Sequence, residues 1–268
     1  MLNSGGDIGP RALLPFFLLA FGLAWGIVAL LILFPAQVVA LAGPVSGTNP
    51  LFILAVYAPA IAAFVLVLMH GGPRALGRYL TRLGLWRAPP MWYVFVLLGI
   101  PVLFFAGAWL KGDMTPGAVT FEGFGALLGA LGLTLIIGPV EELGWRGFAL
   151  PLLQRRMAPV WAALVLGALW GLWHLPAFYL SGTPQSAWGF APFFVASVAV
   201  SVIVTALFND AGGSILLSAL FHFQLNNPVW PDAQPHDTWM FLAAAVVVLW
   251  VRRHDMFYRH AARTAVIP

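Results

Sequence analysis

Cysteine is missing from all 268 residues, and charged side chains account for only 8% of them. The first absence excludes a disulfide framework, a thiolate nucleophile and a thiolate metal site, so any metal would have to rely on imidazole and carboxylate. The second excludes an ordinary soluble domain, in which roughly a quarter of the residues are charged. Internal repeats and low-complexity tracts are absent as well. Nine acidic residues face thirteen basic ones, for a formal net charge of +4 and a pI near 10.0. The basic residues sit beside apolar runs and form no soluble basic face, which argues against a nucleic-acid partner and for orientation in a lipid bilayer.

What the chain has instead is apolar length: 61% of its residues are hydrophobic and its mean hydropathy is +0.92. Apolar runs cover residues 12–34, 51–69, 92–110, 124–140, 160–180, 190–208, 214–230 and 239–251. Most approach the ~20 residues that cross a hydrocarbon core. The first is longer than the ~7–15 apolar residues of a signal peptide, so it is expected to be retained. The expected fold is all-α: one polytopic domain, residues 1–268, built as a bundle of about eight transmembrane helices. Loop charge supports the even count. All twelve arginines fall at alternate ends of the runs: Arg11 before the first, Arg74 to Arg87 after the second, Arg146 to Arg156 after the fourth and Arg252 to Arg263 after the eighth. Only Lys111 lies on the other side. Basic residues near span ends collect in the cytoplasm, so both termini are expected there, with the chain integral to a bacterial or archaeal plasma membrane. Residues 74–87, bracketed by Pro73, Pro89 and Pro90, read equally as an amphipathic interfacial helix or as a solvated basic connector.

Against this background the ionisable groups at membrane depth stand out, each costing ~2.5–3.5 kcal/mol on insertion scales. Three clusters carry them. In Glu141-Glu142-Leu143-Gly144-Trp145-Arg146, Glu142 and Arg146 share a helix face while Glu141 points about 100° away and is free for chemistry. In the fifth run Trp170 lies one turn before His174 and can wall its imidazole, with Pro176 loosening the helix just beyond. In the seventh run His222 and Asn226, four apart, aim an imidazole and an amide at one point. Taken singly, Glu142 with Arg146 is more often a structural ion pair, a lone histidine a packing residue, and Asn226 a bond between helices. Their joint occurrence in three runs points to one intramembrane cavity. There Glu141 and His174 could share a water and take its proton, while His222 and Asn226 could donate to the oxyanion of a tetrahedral intermediate. The reaction class is hydrolysis of an acyl bond. Zinc held by His174, His222 and Glu141 is the alternative, although the His-Glu-x-x-His helix of many zinc hydrolases is missing, so no cofactor is required.

These three motifs resemble those of the CAAX protease and bacteriocin-processing (Abi) family, which includes the type II CAAX prenyl endopeptidases. Glu141, Glu142 and Arg146 match its Glu-Glu-x-x-x-Arg, and the following Gly147 to Gln154 is similar too. Trp170 and His174 match an aromatic followed four residues later by His, with Trp in place of the usual Phe; His222 and Asn226 match His-x-x-x-Asn. The resemblance covers about residues 124–228. It implies an eight-helix intramembrane endopeptidase opening towards the cytoplasmic side, with Glu141 as general base, His174 holding the water, His222 and Asn226 as oxyanion hole, and Glu142, Arg146 and Trp170 in support. The implied partners are membrane lipid and a peptide or prenylated protein substrate, cleaved near its C-terminus; oligomeric state is left open. A scaffold or bacteriocin-immunity protein with the same fold is the competing function, and a proton-coupled carrier a third, without visible inverted repeats to support it.

Overall fold

The computed structural model describes residues 7–113 and 123–268. Among them there is no strand, and every regular element is a helix. Among the described residues six helices are long and apolar enough to cross a membrane: α1 (Pro10–Leu33), α4 (Ala58–Gly84), α5 (Pro90–Lys111), α6 (Phe124–Gln154), α7 (Pro159–Tyr179) and α8 (Phe190–Asp210). Between α1 and α4 lie the short α2 (Pro35–Ala42) and α3 (Pro50–Val56). Two shorter apolar helices, α9 (Ile215–Leu225) and α10 (Asp237–Val251), complete the bundle.

The division between core and lipid surface follows side-chain spacing. In α1, Phe16, Ala20, Ala24, Ile27 and Leu31 form a buried stripe, while Leu14, Leu18, Leu30 and Leu33 stay exposed. A water-facing helix would carry polar groups on that second face; leucine there fits hydrocarbon. α8 is the central post, with every residue from Ala199 to Asn209 buried, and it packs on α7 and α10. Its small and β-branched side chains let neighbours approach closely, as in membrane bundles generally. Gly144 of α6 meets α4 the same way: a Cβ at that position would run into the Pro59 carbonyl.

Three interruptions shape the interior. α4 bends at Gly71 and Gly72, the latter at φ +66°, so the Arg74–Arg82 stretch, helical as one reading allowed, leaves the axis of the span. α6 breaks at Gly138-Pro139, where proline supplies no amide to the ladder, and restarts at Glu141. The two glutamates thereby occupy the first turn of the restarted helix, where carboxylates oppose the partial positive charge of free amides. Immediately afterwards Trp145–Ala149 widens into a π-turn, a feature common at functional sites. α7 keeps α-helical geometry only to Trp173, with His174 as its C-cap.

The two ends of the bundle differ. At one, Asp7 accepts from the Val266 and Ile267 amides and pairs with Arg155, Gln154 reaches the Arg263 carbonyl, and Arg252 pairs with Asp210, which also accepts from Trp92 Nε1. The buried Arg82 guanidinium spans the carbonyls of Gly147, Gly213 and Val266 there. At the other end Lys111 pairs with Asp232 at 2.9 Å, and Thr238 Oγ1 donates to the Pro192 carbonyl.

Candidate active site

The break in α6, the C-cap of α7 and the last turn of α9 converge midway through the bundle. Glu141 is 3% exposed, and two indoles hold one of its oxygens: Trp170 Nε1 donates to Oε2 at 2.8 Å and Trp145 Nε1 to the same atom at 3.3 Å. Both donors meet on Oε2, so Oε1 is the oxygen left for a water. The Trp145 bond spans four residues of the restarted helix.

Trp170 does more than wall off an imidazole. Its backbone carbonyl takes the Nδ1 of His174 at 2.8 Å. A carbonyl only accepts, so Nδ1 carries the proton and Nε2 of the neutral ring presents its lone pair. The Trp170 ring stands edge-to-face against His174 and His222, with centroids 5.4 and 5.5 Å apart, and lies under the Arg146 guanidinium at 4.8 Å. One side chain thus touches Glu141, His174, His222 and Arg146. The adjoining Trp173 is fixed from the side by α1, its Nε1 donating to the Ala20 carbonyl while its own carbonyl accepts from Trp25 Nε1.

Glu142, 1% exposed, pairs with Arg146 as the four-residue spacing requires, Nη1 to Oε1 at 2.9 Å. The same oxygen accepts from His222 Nδ1 at 2.8 Å. This second bond joins residues eighty positions apart and makes Glu142 the link between α6 and α9. It also restricts His222: with Nδ1 committed to the carboxylate, Nε2 donates only when the ring is doubly protonated. Asn226 caps α9 and exposes its amide. Opposite it, Gly138 leaves room that a Cβ would take from the Asn226 amide and from His222 Nε2. Sequence spacing missed Trp145 and Gly138. Trp145 had a signal, since it stands four residues after Glu141; Gly138 had none, because its partners lie on another helix.

A cavity of about 480 Å³ joins Glu141, Trp170, His174, His222 and Asn226. Fully buried Trp145 and Arg146 back its lining residues Glu141 and Trp170. Its outer wall is made by Gly47, Gln185, Trp188, Trp230 and Asp232, which belong to the connections at the Lys111 end. Among the described residues no three His, Asp or Glu side chains are grouped so as to hold a metal ion.

Residues 123–227 match the family model described as type II CAAX prenyl endopeptidase Rce1-like. The chain is also 31% identical, over 138 residues, to a CAAX prenyl protease 2 of Methanococcus maripaludis; the alignment covers 47% of this chain and 50% of that protein. The chain thus spans about half the length of the curated relative it matches. Glu141, His174, His222 and Asn226 all fall inside the matched region, and the likeness inferred from three short motifs holds.

Proposed function

From a chain whose matched region resembles the type II CAAX prenyl endopeptidases and supplies Glu141, His174, His222 and Asn226 to the cavity, we propose an intramembrane endopeptidase. Its substrate is a lipidated or membrane-associated polypeptide, cut near the C-terminus by water. The observation that carries this reading is the presentation of Glu141: a buried carboxylate fixed through Oε2 by two indoles, beside an imidazole whose outward nitrogen can only accept.

A water between Glu141 Oε1 and His174 Nε2 has one acceptor to receive its proton and a second to orient its other hydrogen. As the oxygen attacks the scissile carbonyl, Glu141 takes the proton, a task worth ~10²–10⁴ in rate. The carbonyl oxygen becomes an oxyanion, stabilised by the Asn226 amide and by His222 Nε2–H in the protonated ring, whose charge Glu142 balances. Each such donor contributes ~2.7–4 kcal/mol in hydrolases studied by mutation. When the carbon–nitrogen bond breaks, Glu141 returns its proton to the leaving amine. Atoms and protons balance with no further reactant.

The test is cleavage of a lipidated peptide with a quenched fluorophore pair by the purified protein in detergent, compared with Glu141→Ala and Glu141→Gln. The proposal expects turnover in the parent, survival of that turnover through exhaustive chelation, and loss in both variants. Equal turnover in parent and Glu141→Gln would remove the general base and with it the mechanism. Activity lost to chelation and restored by zinc would replace the metal-free route.

A further inference from the structure

A buried polar atom without a partner costs free energy unless a ligand supplies the missing bond, so the places where such atoms gather are informative. Among the described residues ten buried side-chain nitrogens and oxygens lack a hydrogen bond. Three belong to Glu142 and Arg146. Four others, Gln185 Oε1, Trp230 Nε1, Gln234 Oε1 and Asp237 Oδ1, belong to residues that line the cavity, and the chemistry at Glu141 uses none of them.

Asp237 is the centre of this second group. It opens α10 and is only 5% exposed. α5 presses on it through Gly107, where a Cβ would come within 2.9 Å of the Asp237 amide nitrogen, and its neighbour Thr238 is tied to the Pro192 carbonyl. The first turn of a helix favours a carboxylate, but an exposed one opposes the dipole as well, so the burial asks for another reason. Asp237 Oδ2 accepts from Gln234 Nε2 at 3.0 Å. That bond orients the amide: its nitrogen faces a carboxylate, which only accepts, and Oε1 is the free end. With Asp237 Oδ1 and Gln185 Oε1 it makes three unsatisfied acceptors against one unsatisfied donor, the Trp230 indole. Charge points the same way. The lining carries the carboxylates of Glu141, Asp232 and Asp237 and neither lysine nor arginine among the described residues. Lys111 is committed to Asp232, to its carboxylate at 2.9 Å and its carbonyl at 3.1 Å, and Glu141 is the base. Asp237 is left as a buried anion held by one neutral amide, and a cation arriving with a ligand would supply the missing counter-charge.

We propose that Asp237, Gln234 and Gln185 form a subsite of the cavity for a basic side chain of the polypeptide substrate, lysine in the first place, whose ammonium brings three donors. The identity of the occupant rests on the endopeptidase reading above. Trp230 Nε1, the remaining donor, serves a substrate carbonyl. The hydrolytic step at Glu141 is unchanged; the subsite decides which peptides are held beside it.

The test moves a single lysine through successive positions of the quenched lipidated peptide and compares each peptide with its norleucine counterpart, which keeps the chain length and removes the charge. At one position the parent is expected to prefer lysine by about tenfold or more in kcat/KM, the weight of one hydrogen bond to a charged group, with the difference carried by KM. In Asp237→Asn the ratio of lysine to norleucine should fall to about one, and in Gln185→Leu it should fall part of the way. Equal kcat/KM for lysine and norleucine at every position overturns the subsite, as does a preference that survives in Asp237→Asn. Where Asp237→Asn does not fold, as its melting curve shows, Gln185→Leu decides, and an unaltered ratio there overturns the proposal. In a second arm the same peptides are titrated onto Glu141→Ala and binding is followed by tryptophan fluorescence. If the parent cuts no peptide, the endopeptidase reading fails, while binding of a lysine peptide about tenfold tighter than its norleucine counterpart still supports the subsite and equal binding removes it.

Discussion

Removing the charge of Glu142 while keeping its shape is the most exacting perturbation of this site. In Glu142→Gln an amide can still meet His222, but Arg146, with no exposed surface, faces no counter-charge. Breaking a buried pair by neutralising one partner costs about 3–5 kcal/mol, mainly because the remaining charge is stranded. For a chain of this size ~2–4 °C accompany each kcal/mol, so the unfolding midpoint should fall by roughly 6–20 °C. Arg146→Met should cost a similar amount by stranding Glu142. The double variant, Glu142→Gln with Arg146→Met, leaves no permanent charge unpaired and should recover most of the loss, because a buried pair contributes little beyond an apolar replacement of similar volume. Tryptophan fluorescence during heating in detergent reads all four proteins. Peptide cleavage should not recover with stability, since the double variant lacks the anion that balances protonated His222. A double variant no more stable than either single one, or one that regains parental turnover, would refute the assignment of Glu142 as counter-charge to both Arg146 and His222.

Glu141→Gln should lower turnover by about 10²–10⁴ while shifting the unfolding midpoint little, because the amide oxygen still accepts both indole bonds; kinetics and melting on the same preparation check this. Asn226→Ala should reduce kcat by about 10²–10³ with little change in KM, since the amide acts on the transition state; a loss confined to KM would make Asn226 a binding residue instead. Gly138→Ala should reproduce the Asn226→Ala defect, as the new methyl occupies the space of that amide; parental turnover in Gly138→Ala would show that the amide does not need that space. Trp170→Phe keeps the ring and the carbonyl that holds His174 but removes one donor from Glu141; losing a hydrogen bond to a charged group, ~1.5–3 kcal/mol, should lower kcat/KM by about tenfold or more.

Much of the architecture could be read from the sequence because lipid leaves few options: an apolar run of sufficient length must become a helix, and arginines at its end must stay on one side. Pairs within one helix were equally legible. Glu142 with Arg146 and His222 with Asn226 follow from a spacing of four, and the C-cap position of His174 accords with Pro176 two residues on. What spacing cannot supply is the bond from Glu142 to His222 across eighty residues, or the second use of Trp170, whose indole reaches Glu141 twenty-nine positions away. Those contacts depend on the depth at which three helices meet, and that depth is set by the break at Gly138-Pro139, the π-turn after Gly144 and the early stop of α7.

The same depth follows from where each side chain sits on its span. Glu141 lies in the middle of α6, His174 at the far end of α7 and His222 three residues from the far end of α9, counting from the arginine end. A site assembled from the middle of one span and the distal ends of two others is nearer the end opposite the arginines. The shortness of α9 then matters: the chain leaves the bundle at Asn226 and folds back through Asn227 to Gln234, lining an opening that a full-length span would have filled with side chains. A single interrupted span and a single short one thus set where the Glu141 carboxylate sits and what lines the space around it.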